Sequence, residues 1–122
     1  LTSALSLTAA SSLAAKGPYS QLAGSYHGDV FNGTDLDPVV TTFILEPSGH
    51  LFGEYVVDEE NGEYHGRLSN IVFEDVRTIT LQWTDKCGEG FAVMEFAQDY
   101  PSFTGQWTSK DDSRPQPWNG KK

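Results

Sequence analysis

Residues 50–69 read HLFGEYVVDEENGEYHGRLS. From Gly62 to Leu68, Tyr64, Gly66 and Leu68 fall on one face and Glu63, His65 and Arg67 on the other, the period-two pattern of a half-buried strand. Just before it, Asp58-Glu59-Glu60-Asn61-Gly62 ends an earlier apolar run with an Asn-Gly pair, a turn signal that folds the two runs into an antiparallel hairpin. Each arm carries a glycine two places before a tyrosine, Gly53-Glu54-Tyr55 and Gly62-Glu63-Tyr64. That spacing puts glycine and ring on the same face. An inward glycine lets a strand bend sharply or lets a neighbour's ring lie over its backbone. The stretch therefore predicts a curled sheet.

The same device recurs outward from there, in Gly24-Ser25-Tyr26 and Gly105-Gln106-Trp107. Alternation recurs too: Ile79, Leu81 and Trp83 against Thr78, Thr80, Gln82 and Thr84, and then Phe103, Gly105 and Trp107 within 102–108. Strands are predicted at 24–31, 39–46, 50–57, 62–69, 77–84, 89–97 and 102–109. Pro47-Ser48-Gly49 and Asp85-Lys86-Cys87-Gly88 are further turn signals, and such short connections join antiparallel neighbours. The expected fold is all-β: a single antiparallel meander closing into a small barrel of seven to eight strands, with residues 70–76 or an end of the chain as the eighth. Tyr26, Tyr55, Tyr64, Trp83 and Trp107 are its inward aromatics, serving packing first and a ligand second.

Three regions follow: an arm at 1–23, the barrel at 24–109 and an irregular tail at 110–122. The opening LTSALSLTAASSLAA looks like the latter part of a secretory signal peptide, which predicts an exported protein. It is too short and too rich in hydroxyl groups for a transmembrane helix. The tail, KDDSRPQPWNGKK, shows no strand pattern, yet Trp118 is costly to leave in water. Trp118 is expected to dock, either as a plug in its own barrel or in a groove on another chain. With Leu5, Leu7 and Leu13 it makes up the expected contact to a protein partner or a second copy.

Charge narrows the partners. At 122 residues the chain closes one core, and 17 acidic against 8 basic side chains leave a net charge of −9, which disfavours nucleic acid. Residues 1–66 hold nine of the acids and only Lys16 as a base. Cys87 is the sole cysteine, so no internal disulfide forms, and it reads as a passive turn residue.

Chemistry is sparse. The chain has no phosphate-binding glycine loop, zinc-binding His-Glu-x-x-His, paired cysteines or Gly-x-Ser-x-Gly elbow, so no catalytic residue, metal or cofactor is expected. His27 and His65 stand in matching Tyr-His-Gly contexts and are expected to face solvent. Asp35-Leu36-Asp37 and Asp58-Glu59-Glu60 lie in loops that could gather a hard cation only if they converge, and otherwise form a solvated acidic rim.

The order of a Gly24-Ser25-Tyr26 opening, hairpins carrying Gly-x-Tyr, a Leu81-Gln82-Trp83 strand and a late Phe103-Thr104-Gly105-Gln106-Trp107 strand resembles the calycin superfamily, the avidin and lipocalin type of up-and-down barrel, over residues 24–109. The resemblance implies a barrel that binds at its interior or mouth. It carries over no biotin or retinoid contact residue by residue. The expected function is that of a non-enzymatic binding or interaction domain. The alternatives are an accessory or structural subunit docking through its termini and a carrier of a small apolar ligand.

Overall fold

A computed structural model of the chain describes residues 19–122. Eight strands follow a short turn of helix at 19–22: β1 (Gly24–Phe31), β2 (Leu36–Leu45), β3 (Leu51–Glu59), β4 (Gly62–Phe73), β5 (Thr78–Asp85), β6 (Gly88–Phe96), β7 (Ser102–Ser109) and β8 (Asp112–Lys121). Each pairs antiparallel with the next and β8 returns to β1, closing the barrel in sequence order. Three hairpins turn over two residues, shown by the end pairs Glu59–Gly62, Asp85–Gly88 and Ser109–Asp112. Alternation is cleanest in β6, where Gly90, Ala92, Met94 and Phe96 are buried and the residues between them exposed.

The eighth strand is the chain's end. Residues 70–73 only lengthen β4, beyond a register shift between Ser69 and Val72. The region expected to be an irregular tail instead forms β8, laddered to β7 from Ser102–Lys121 to Trp107–Gln116. Proline normally argues against a strand because it has no N–H for the ladder. Here Pro115 and Pro117 sit at or past the point where β1 ends, since Val30 pairs with Trp118 and β1 stops at Phe31, so the missing donors cost the seam little. Leu5, Leu7 and Leu13 lie outside the described residues.

Closure brings β1 and β8 unusually near at Gly28, where an added Cβ would stand 2.0 Å from the backbone oxygen of Asn119. Only glycine leaves room for that approach.

The two barrel ends differ. Hairpins β2–β3, β4–β5 and β6–β7 and the 19–22 helix share one end, which is packed shut. There Tyr26, Phe43, Phe96 and Phe103 meet edge to face or tilted, with centroids 5.4 to 6.5 Å apart. Leu22 is fully buried beneath them. The Tyr26 hydroxyl lies 2.7 Å from Leu22 O and 3.1 Å from Tyr100 O, so its one proton is shared between two carbonyls of the plug. Tyr19 stacks on Phe73 at 5.0 Å. Among the described residues no helix is long and apolar enough to cross a membrane.

Candidate functional site

The opposite end is open. Four hairpin connections, β1–β2, β3–β4, β5–β6 and β7–β8, surround a cavity of about 440 Å³. Its walls are aromatic: Tyr55, Tyr64, Trp83, Trp107 and Trp118 all line it, over Val30 and Val57. The strands place these rings by their inward phase. Tyr55 sits on Gly66 of the neighbouring strand, where a Cβ would stand 2.0 Å from the Tyr55 Cζ atom, so the inward glycine provides the seat for a ring. Trp83 and Trp107 pack edge to face at 5.4 Å, and Tyr55 and Trp118 do so at 5.0 Å.

Hydrogen bonds fix every wall ring but Tyr64. Trp83 Nε1 donates to Thr108 O at 3.0 Å, Trp107 Nε1 to Phe31 O at 2.9 Å and Trp118 Nε1 to Thr41 Oγ1 at 3.0 Å. The Tyr55 hydroxyl donates to Asp85 Oδ2 at 2.6 Å, while Asp85 Oδ1 accepts the Cys87 N–H at 2.7 Å. At the rim, Asn32 Oδ1 accepts the N–H groups of Thr34 and Asp35, both at 2.8 Å, and Asn32 Nδ2 donates to Asp37 Oδ2 at 2.7 Å. No buried side-chain nitrogen or oxygen among the described residues lacks a partner. The walls are therefore held in place before any ligand arrives.

Ionisation follows from this packing. Burial, then the Asp85 carboxylate, pushes the Tyr55 phenol far above its ordinary range, and the same two causes raise Tyr64. Burial first and Asp85 second raise the Cys87 thiol against the opposing pull of Lys86, which keeps it in the thiol form. At the plugged end burial likewise raises Tyr26 and Tyr100. A phenol whose folded pKa exceeds its unfolded value, about 10, supports the fold fully below that pH and loses its contribution as pH rises above it. Phenolate absorbance from these four tyrosines is thus expected to grow only as circular dichroism reports alkaline unfolding. These are all of the chain's tyrosines but Tyr19, so a phenolate signal larger than one tyrosine can give, developing while the barrel stays folded, contradicts the packing described here.

The structure gathers four of the five aromatics singled out in the sequence, Tyr55, Tyr64, Trp83 and Trp107. Tyr26 takes the packing role: it belongs to the plug at the far end and does not line the cavity. Trp118, expected to dock in its own barrel or on another chain, packs in its own barrel, where it is 3% exposed because its phase in β8 turns it inward. The two acidic loops do converge on the mouth, where Asp35 and Glu59 line the cavity, but no group of three or more potential metal ligands forms among the described residues. His27 and His65 are exposed on strands β1 and β4, which are not neighbours. Asp85, in the sequence a turn residue only, continues the inward phase of Ile79, Leu81 and Trp83 by one step and so brings its carboxylate to Tyr55. Comparison of the chain with protein-family models, curated proteins and solved structures finds no match.

Proposed function

We propose that this protein is a binding domain of the calycin type that takes a small molecule into the open end of its barrel. One observation carries the reading: a cavity of about 440 Å³ walled by three tryptophans and two tyrosines, at one end of a barrel whose other end is filled by its own rings. Volumes of this order suit small organic ligands, and apolar walls with a few placed polar groups are the usual makeup of such sites. The closed eight-stranded meander supports the calycin comparison. Binding rather than catalysis is favoured because the cavity's phenols and its thiol are held protonated, leaving none of them activated as a nucleophile.

Filling the space tests the reading. Val30 is buried and lines the cavity from β1, so the extra volume of Val30→Phe is directed at the cavity. The variant is expected to keep the parent's circular dichroism and thermal midpoint within a few degrees while losing binding of small aromatic compounds, followed by tryptophan fluorescence. Unchanged binding by a folded Val30→Phe protein would sink the proposal.

A further inference from the structure

The polar groups of the cavity are sorted in a way that specifies the charge of its occupant. We infer that the cavity binds an organic cation, a substituted ammonium or guanidinium group carried on a small apolar body. This rests on the small-ligand reading above and gives that ligand its chemical class.

All three tryptophan N–H groups are already committed to Thr108 O, Phe31 O and Thr41 Oγ1, and the Tyr55 hydroxyl is committed to Asp85. One N–H of the Asn32 side-chain amide goes to Asp37. Among the described residues no lysine, arginine or histidine lines the cavity. What the side chains still offer is ring surface, the carboxylates of Asp35, Glu59 and Asp85, and neutral groups only: the hydroxyls of Tyr64 and Thr34, the second N–H of Asn32 and the Cys87 thiol. An anion entering here would meet three carboxylates with no lining counter-charge. An uncharged apolar ligand would strip water from those carboxylates without replacing the lost interactions, which is costly. A cation meets both needs: aromatic faces attract it through their quadrupole, and the carboxylates complete its solvation.

Two further features agree. The ammonium of Lys86 sits over the Tyr64 ring at 5.2 Å, although Lys86 does not line the cavity, so a wall ring of the site already receives a cation. The net charge of −9 draws cations toward the protein and repels anions.

The three tryptophans of the chain, Trp83, Trp107 and Trp118, all line this cavity, so intrinsic tryptophan fluorescence of the whole protein reports on it alone. Benzyltrimethylammonium, benzyl alcohol and phenylacetate carry the same ring with positive, zero and negative charge. The cation is expected to bind about tenfold or more tightly than either of the others. Added salt should weaken its binding. Among the described residues Glu59 has no side-chain hydrogen-bond or ion-pair partner, and Glu59→Gln is expected to lower affinity for the cation about threefold without lowering that for benzyl alcohol. Equal affinity for all three compounds overturns the inference and leaves the small-ligand reading standing. A preference for phenylacetate does the same and identifies Lys86 as the counter-charge. Binding of none of the three overturns both.

Discussion

Trp118→Ala is expected to destabilise the barrel by about 3–5 kcal/mol, the range for removing a large buried aromatic side chain from a core that cannot collapse around the gap. The gap cannot collapse because Trp118 occupies a position where β8 meets four other strands. It pairs with Val30 of β1 and Gly105 of β7, its ring packs on Tyr55 of β3 and its N–H reaches Thr41 of β2. Thr41 is fully buried, so the alanine variant also removes a partner from its hydroxyl. Urea unfolding monitored by far-ultraviolet circular dichroism measures the loss. Trp118→Phe, which keeps a ring but no N–H, should fall between parent and alanine. An unchanged unfolding midpoint in Trp118→Ala, together with loss of association to another chain, would restore the view of Trp118 as a partner contact.

Gly28→Ala is expected to cost about 3 kcal/mol, at the upper end for added bulk in a packed region. The obstacle is backbone: besides the Asn119 oxygen at 2.0 Å, the added Cβ would meet the Asn119 carbonyl carbon at 2.6 Å and Gly120 Cα at 2.7 Å. Side chains yield by changing rotamer, but a strand yields only by moving. The ladder between β1 and β8 shows pairs only at His27–Lys121 and Val30–Trp118, one on each side of Gly28, so movement there opens the seam. Hydrogen exchange should show β1 and β8 amides losing protection well before those of β3–β6. Uniform loss of protection around the barrel, or none, would show that the seam is not the point of weakness. Gly33 serves as a control for helix or strand propensity effects only in part, because its φ of 102° makes any substitution strained even though an added Cβ there meets nothing within 4 Å.

Seven strands were legible because their alternation and turns agree with one another, as in Gly62–Leu68 and Thr78–Thr84. β8 is legible only as an end of the chain able to serve as the eighth strand, because Pro115 and Pro117 break the alternation there. Its own signal was the Trp118-Asn119-Gly120 triplet, a ring and a glycine at the period-two spacing used elsewhere but in reverse order. Both Trp118 and Gly120 are buried, and an added Cβ at Gly120 would stand 2.8 Å from Tyr26 Cβ. The site was legible only in part for a different reason. Period two tells which face a side chain takes but not how far along the barrel it sits. Tyr26 and Tyr55 share that face yet lie at opposite ends. Position along the strand separates them: β1 and β3 both start at the plugged end, with Tyr26 the third residue of β1 and Tyr55 the fifth of β3.

Because β8 pairs with β7 on one side and with the edge of β1 that β2 leaves open on the other, a nascent chain on the ribosome cannot complete this fold until the segment through Lys121 has emerged. Until then β1 and β7 are bare edges, each able to pair with a strand of another molecule. Truncation or stalled translation before β8 is therefore more hazardous for the cell than most point substitutions, since it yields a nearly complete sheet with two adhesive borders.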